Sequence, residues 1–403
     1  MAALRNREMG NFLNILSGDY EDIDEKYYYQ IREPKERKFS KIKNVLESIG
    51  IDDVIECHSI ENSNDNYYYF IYQLSDLRFL ELPTFLKPEF IELMKNNKNL
   101  NVVFLNEHES ETEENYILLG ESVIKQKLNL NQFYFINNNS NLDHYKIKNN
   151  GVNVYSLRFL PSYYSKHIFK NDIDIVTDKE FLFVCHNKRI KPHRFGILLE
   201  MKKLNILNNT DWSFLLNDDP NRDYYQFFKK LYSDDEITSL LPHIEYFNKL
   251  GIKKSKYEYA QLNDNLENDF IYTKTFEGAY VNIVTETYFE GNRIHITEKS
   301  FKPFNFYQLP IFLTTCGHVK KLKEIYGFDM FDDFINHSYD NESDDKKRFT
   351  LIVREIEKLN SKDVKNFYNT NIDRLIQNKK IISEISNDTR DIEYFKKLTK
   401  DNG

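Results

Sequence analysis

Short apolar, β-branched or aromatic runs alternate with segments of helical spacing along most of this 403-residue chain, and this alternation limits its fold more than any other feature. In the first half it predicts strands at 67–74, 102–105, 133–136 and 152–157, with helices at 41–49, 88–96 and 115–128. In the second half it predicts strands at 180–185, 212–216, 280–284 and 310–314, with helices at 194–204, 224–231, 237–250, 298–306 and 319–325. Strands that alternate with helices indicate an α/β fold with doubly wound parallel sheets.

The length of the chain is typical of two domains of roughly 150–200 residues each. We predict two Rossmann-like domains that face a cleft, residues 1–165 and 175–360. The boundary is expected within 161–178, which carries Pro161 and a polar run. Helices are predicted from Ser343 onward, with breaks near Asn360 and Asn378. Residues 361–403 are expected to form C-terminal helices that pack on the domains.

The charge distribution disfavours a nucleic-acid partner. The chain has 55 basic and 63 acidic residues, a net charge of −8, and residues 51–150 alone hold 8 basic and 16 acidic residues. Binding duplex DNA without sequence preference needs a basic face. No run approaches the roughly 20 apolar residues of a membrane span. Cys57, Cys185 and Cys316 are spaced for neither a zinc site nor a disulfide framework, so we expect a cytoplasmic protein.

Two segments of the second half carry charges suited to a phosphate. Thr297 is predicted to cap a helix whose first residues are Glu298 and Lys299, and an open helix N-terminus attracts anions. Lys299 would add a positive charge for a phosphate, and Glu298 would accept hydrogen bonds from a ribose. The alternative is ordinary capping, because acidic residues favour helix N-termini, although a lysine in the first turn opposes the helix dipole.

The second segment, residues 184–194, is a basic turn between a predicted strand and a predicted helix. Arg189 and Arg194 are candidates for clamping a diphosphate, because guanidinium groups match phosphate oxygens. The alternative is a solvated basic turn. Two such turns in one domain favour a nucleotide-linked substrate, because ligands of open α/β sheets bind at the carboxyl ends of the strands.

These short motifs occur in the order seen in a known family. They are Thr285-Glu286, Ile296-Thr297-Glu298-Lys299, Gln308-Leu309-Pro310-Ile311 and Gly317. Over residues 180–360 the chain resembles the donor-binding half of GT-B glycosyltransferases, above all the α-1,3-fucosyltransferase family. It also resembles glycosyltransferase-like proteins of phages and other viruses, in which a Gly-Phe pair and a Ser-Tyr-Asp follow, here Gly327-Phe328 and Ser338-Tyr339-Asp340.

The resemblance implies a GT-B fold and donor binding by Glu286, Glu298 on the ribose, and Lys299 and Arg189 on phosphate. It also implies catalysis without a bound metal or other cofactor. Where the fucosyltransferases have Glu-Asn-Ser, this chain has Glu286-Thr287-Tyr288, so the donor is left as a UDP- or GDP-linked sugar.

A general base would come from the first domain. Glu107, His108 and Glu109 directly follow a predicted strand, and we favour Glu109. The alternative is that they begin an acidic surface run ending at Glu114. Neither Gly-x-Gly-x-x-Gly nor Gly-x-x-x-x-Gly-Lys-Ser/Thr occurs, which argues against a nicotinamide enzyme and a P-loop NTPase. Asp172-Ile173-Asp174 is misplaced for a metal-binding Asp-x-Asp, so no metal site is predicted.

The leading prediction is therefore a glycosyltransferase that moves a sugar from a nucleotide-diphosphate sugar to a hydroxyl acceptor, a glycan or another molecule. Residues 1–165 would bind the acceptor and 175–360 the donor. Two alternatives stay open. One is a phage DNA-modifying glycosyltransferase acting on hydroxymethylated bases, and the other is a non-catalytic nucleotide-binding or assembly module. If the protein is viral, it would act in the host cytoplasm.

Overall fold

The chain divides into two compact units, Met1–Tyr163 with Asp388–Gly403, and Tyr164–Asn387. Each is described by itself, from a computed structural model. The structure describes residues 13–16, 54–57, 67–72, 88–105, 113–137, 153–156, 173–187, 190–214, 222–251, 276–385 and 393.

The first unit is built on a six-stranded sheet in which every neighbouring pair of strands is parallel. Its strands are β1 (Leu13–Leu16), β2 (Val54–Cys57), β3 (Tyr67–Tyr72), β4 (Leu100–Leu105), β5 (Phe133–Asn137) and β6 (Asn153–Ser156). Their order is β2-β1-β3-β4-β5-β6. The helices α1 (Pro88–Asn96) and α2 (Glu113–Lys125) connect the central strands. The side-chain amide of Gln132, just before β5, donates to the carbonyl of Asn97, in the turn after α1, at 2.9 Å. It also donates to the carbonyl of Leu100, the first residue of β4, at 2.7 Å.

The second unit has a four-stranded parallel sheet with the order β8-β7-β9-β10. Its strands are β7 (Phe181–Asn187), β8 (Thr210–Phe214), β9 (Ala279–Thr285) and β10 (Leu309–Leu313). The chain runs outward from β7 to β8, then returns past β7 to β9 and continues outward on the other side. The topological switch point therefore lies between β7 and β9, the place where open α/β sheets bind ligands beyond the carboxyl ends of their strands.

Helices follow each strand of this second sheet. They are α3 (Pro192–Lys203), α4 (Tyr224–Phe228), α5 (Asp234–Leu250), α6 (Glu298–Asn305), α7 (His318–Tyr326), α8 (Asp345–Asn360), α9 (Val364–Thr370) and α10 (Ile372–Ile385). Several begin with side-chain caps that the sequence encodes locally. Ser233 and Glu236 form a reciprocal capping box at α5, and the Asp344 carboxylate caps α8.

Apolar side chains cover both faces of the second sheet. On one face Phe195 of α3 stacks on Phe214 of β8 at a centroid distance of 5.0 Å and meets Phe247 of α5 edge-on at 5.5 Å. On the other face Val184 of β7 belongs to a buried cluster with Phe276 and Phe306, whose rings stack at 4.9 Å. All residues of β8, β9 and β10 are buried. Because both faces are covered, β10 is apolar throughout, as parallel strands generally are, whereas β8 and β9 also bury the polar side chains of Asp211, Ser213 and Asn282.

The predicted α/β fold with parallel sheets is confirmed. The described strands and helices lie within a few residues of predicted segments, except for the four-residue strands β1 and β2, which the sequence analysis did not predict. The predicted helix break near Asn360 is also confirmed. The break near Asn378 is wrong, because this residue lies inside α10 and is 1 % exposed. Its amide accepts from the Asp329 main-chain N–H at 2.8 Å and donates to the Asp329 carbonyl at 2.7 Å. The amide thus serves a tertiary contact, and the helix turns instead at Asn371.

The predicted helix at 41–49 lies outside the described residues. Among the helices that are described, none combines the length and apolar character needed to cross a bilayer.

Candidate functional site

Helices α3, α6 and α7 begin at the carboxyl edge of the second sheet. Helix α3 follows β7, α6 follows β9, and α7 follows β10. Helix N-termini carry partial positive charge from their unpaired N–H groups. Because α3 and α6 follow the two strands that flank the switch point, their first residues define the candidate site.

Helix α6 begins as predicted. Thr297 is its N-cap, with extended backbone angles, and its hydroxyl accepts from the Lys299 main-chain N–H at 3.3 Å. The same hydroxyl lies 2.9 and 3.0 Å from the two carboxylate oxygens of Glu286, to which it donates. It also accepts from the Lys299 ammonium at 3.3 Å. One donor and two acceptor positions of the hydroxyl are thereby all used.

Glu286 is the buried anchor of this helix start. It follows β9 directly and is 0 % exposed. Besides Thr297, its carboxylate accepts from the Ser300 hydroxyl at 2.7 Å and lies 3.7 Å from the Lys299 ammonium. Burial alone would raise the pKa of Glu286, but Lys299, His318 and the Ser300 hydrogen bond outweigh burial and hold that pKa at about 2. Glu286 is therefore a charged carboxylate enclosed by protein groups.

The ammonium groups of Lys191 and Lys299 meet at Thr287. Lys191 is the N-cap residue of α3, and its ammonium donates to the Thr287 carbonyl at 2.7 Å. The Lys299 ammonium lies 3.5 Å from the Thr287 hydroxyl. Helix α3 has no side-chain cap and no acidic residue in its first turn. The two helices that flank the switch point thus bring two cations to one half-buried threonine.

Behind these lysines, His193 and Arg194 hold the end of β9. Nη2 of Arg194 donates to the carbonyls of Thr285 and Glu286 at 3.2 and 3.0 Å, and Nε2 of His193 donates to the Glu286 carbonyl at 3.0 Å. Both residues are buried. Burial, with Arg194 next to it, lowers the pKa of His193 well below its ordinary value. His193 is therefore a neutral imidazole that donates from Nε2.

Tyr288 brings a further cation to the site. The Arg293 guanidinium lies 4.3 Å from the centre of the Tyr288 ring and the Lys191 ammonium 5.5 Å from it, both within cation–π range. His295 meets the ring edge-on at 5.6 Å. Burial lowers the pKa of His295 to about 4, with Glu286 opposing the shift. Among the described residues, the charged side chains of the site are the basic Lys191, Arg194, Arg293 and Lys299 and the acidic Glu286 and Glu298.

Helix α7 has a different N-terminus. Gly317, with a left-handed φ of 82°, precedes it without a side-chain cap. The carboxylate of Asp340 takes that place from a distant segment, accepting from the main-chain N–H groups of Val319 and Lys320 at 3.0 and 2.9 Å. Asp340 is 5 % exposed. The chain itself thus supplies the anion at this helix start.

The structure brings five of the predicted site residues together: Arg194, Glu286, Thr297, Glu298 and Lys299. The side chains of Glu298 and Lys299 are 20 % and 29 % exposed and can reach a ligand. Arg194 and Glu286 are buried and hold main chain and helix start instead. Arg189, Glu107, His108 and Glu109 lie outside the described residues.

Sequence reasoning assigned no role to Lys191, Ser300 or His318. Lys191 stands in the basic turn, where the match of guanidinium groups to phosphate oxygens favoured Arg189 and Arg194. Nε2 of His318 lies 2.8 Å from the Ser300 hydroxyl, which in turn donates to Glu286. Nothing along the sequence indicates this contact, because α6 and α7 meet only in the folded unit.

Within the described ranges, no group of three or more His, Cys, Asp or Glu side chains is arranged to hold a metal ion. Comparison of the chain with protein-family models, with curated proteins and with solved structures finds no match.

Proposed function

We propose that this protein is a glycosyltransferase of GT-B type that transfers a sugar from a nucleotide-diphosphate donor to a hydroxyl acceptor. The observation that carries the proposal is the meeting of Lys191 and Lys299 at Thr287, at the switch point of a parallel sheet. A diphosphate is the common nucleotide-linked group that two adjacent cations and two helix N-termini suit best.

In this proposal the residues divide the work by their access to the ligand. Lys299 and Lys191 contact the diphosphate, and Glu298 accepts hydrogen bonds from the ribose. Glu286 is enclosed, so it acts on the donor only by holding Thr297 and Lys299 in place. The same cations would lower the barrier to transfer, because negative charge grows on the diphosphate as the bond to the sugar breaks.

The acceptor side remains with residues 1–165, and Glu109 is the preferred general base, with Glu107 and His108 as the other candidates. A base that removes the acceptor proton strengthens the attacking hydroxyl. Facing Rossmann-like units would bring this base and the donor together, which is why the proposal includes the GT-B arrangement.

The first experiment measures thermal shifts with UDP, GDP and CDP, followed by sugar-transfer assays with the donors of the nucleotide that binds. Lys299→Met should abolish most of the shift. Lys320→Met is the matched control, because Lys320 also lies in the first turn of a helix at this edge, at the N-terminus that Asp340 occupies. Equal losses in the two variants would disprove the site. A shift without any sugar transfer would support the non-catalytic nucleotide-binding module instead.

A further inference from the structure

Five consecutive main-chain carbonyls, Thr285 to Phe289, accept hydrogen bonds from side chains of other segments. We call these residues the 285–289 segment. The donors are Arg194 to Thr285 and Glu286, His193 to Glu286, Lys191 to Thr287, Thr314 to Tyr288 at 3.3 Å, and Arg348 to Phe289. Strand β9 ends at Thr285, so most of these carbonyls lie beyond the sheet.

Arg348 of α8 is the most heavily bonded of these donors. It is 1 % exposed, and its five N–H groups match five oxygens. Nε donates to the Thr314 carbonyl at 3.0 Å, and Nη1 donates to the carbonyls of Glu342 and Ser343 at 2.8 and 3.4 Å. Nη2 donates to the Phe289 carbonyl and to the Asp345 carboxylate. One side chain therefore joins the segments that follow β9 and β10 to the start of α8.

The ring of Phe289 strengthens this attachment. The Arg348 guanidinium lies 4.6 Å from the centre of the ring, and the His193 ring stacks on it at 5.3 Å. Phe289 is 2 % exposed. The far end of the 285–289 segment is thus fixed by its carbonyl and by its side chain, only two residues from Thr287.

We propose that Arg348 is a positioning residue for the ligand site and sets the place of Thr287 between Lys191 and Lys299. It does so through Phe289, without touching the ligand. This inference rests on the proposed function, because the ligand it positions is the nucleotide diphosphate. A site held in advance in its bound arrangement binds more tightly, since less conformational freedom is lost on binding.

Lysine cannot replace this arginine. Its ammonium carries three donors on one atom, whereas the guanidinium spreads five donors over a planar fork. Arg348→Lys therefore keeps the charge but cannot reach three segments at once. The Phe289 carbonyl would lose its partner or share it, and the 285–289 segment would sample more conformations.

The test compares Arg348→Lys with Arg374→Lys in the full-length protein. Arg374 is a matched control in the same unit, because its guanidinium also makes five hydrogen bonds, to Asp329, Asp333 and Asn371. Dissociation constants for UDP and GDP are measured by calorimetry, and hydrogen exchange is followed at the amides of 286–290. We expect Arg348→Lys alone to raise the dissociation constant about tenfold and to speed exchange at these amides.

The inference is overturned if Arg348→Lys leaves nucleotide affinity within twofold of the wild type, or if both variants weaken it equally. If Arg348→Lys does not fold, Thr314→Val replaces it. This change removes the partner of the Tyr288 carbonyl, together with a 3.5 Å contact to Nδ1 of His318, and should give a smaller change of the same kind. If the wild type binds no nucleotide, the proposed function fails, and this inference fails with it. If the wild type binds nucleotide but Arg348→Lys does not change the affinity, the positioning role of Arg348 is disproved and the proposed function is not.

Discussion

Helices α6 and α7 begin at the same edge of the same parallel sheet, yet different groups surround their N-termini. At α7 a buried carboxylate from elsewhere in the chain, Asp340, binds the first N–H groups. At α6 the carboxylate of Glu286 accepts from the Thr297 main-chain N–H, which precedes the helix, and from the hydroxyls of Thr297 and Ser300, while Lys299 remains partly exposed. A parallel α/β sheet provides several anion sites, and the chain fills one internally.

The difference shows how a site can be recognised without a bound ligand. A helix N-terminus alone is weak support, because any helix has one. What distinguishes α6 is the second cation from α3, which meets it at Thr287, and the location beside the switch point. The comparison predicts that changes at α7 alter stability only, whereas changes at the α6 and α3 starts also alter ligand binding.

Removing the carboxylate beneath α6 should have the largest effect. Glu286→Ala leaves the hydroxyls of Thr297 and Ser300 and the charge of Lys299 without their shared acceptor. We expect the free energy of unfolding to fall by about 4 kcal/mol, measured by urea denaturation. Glu286→Gln should cost less, because its oxygen still accepts. A loss below 1 kcal/mol for the alanine variant, on the order of a single surface pair, would contradict the anchoring role.

Acid should destabilise the α6 side through His295. Its folded-state pKa, about 4, is below the ordinary 6.5, so folding favours the neutral ring. The contribution of His295 to the free energy of unfolding is therefore fully present above pH 6.5. It falls by about 3 kcal/mol as the pH drops from 6.5 to 4. Glu286, with a pKa of about 2 instead of 4.5, adds a loss below pH 4.5. The buried His193 and His318 act in the same direction as His295.

His295→Gln isolates the contribution of this ring. Its unfolding free energy, measured by denaturation between pH 7 and pH 4, should decline less steeply than that of the wild type. Parallel declines in the two proteins would rule out His295 as a source of the acid sensitivity.

The internal cap of α7 should matter for stability alone. Asp340→Ala removes the acceptor of the Val319 and Lys320 main-chain N–H groups, and we expect the free energy of unfolding to fall by about 2 kcal/mol. Nucleotide affinity, measured at a temperature where the variant is fully folded, should stay within twofold of the wild type. A drop in nucleotide affinity as large as that of Lys299→Met would contradict the claim that α7 affects stability only.

The smallest effect concerns the second cation. Lys191→Met should leave stability nearly unchanged and weaken UDP or GDP binding about tenfold, or 1.4 kcal/mol, by calorimetry. The variant Lys320→Met again serves as the control at α7. If both lysines bind the diphosphate, Lys191→Met should also reduce the advantage of a nucleoside diphosphate over the monophosphate. An unchanged ratio would leave Lys299 as the sole phosphate contact.

Much of the local structure could be predicted because its causes are local. The helix Pro88–Asn96 matches its prediction, since Pro88 favours the first turn and the apolar spacing defines the rest. Thr297 as the cap of α6 follows from residue type alone. The prediction of a helix break near Asn378 was wrong because this asparagine makes a tertiary hydrogen bond to Asp329 from inside the helix. Local helix preferences give no information on such a contact.

The sequence by itself determined the alternation of strands and helices, the parallel α/β class and the capped start of α6. These depend on periodicity and capping, whose range is a few residues. Only the tertiary structure decided that Glu286 is enclosed, that Asp340 occupies α7 and that Lys191 meets Lys299 at Thr287. Those contacts join residues 11 to 96 positions apart, and the strand order brings them to one edge of the sheet.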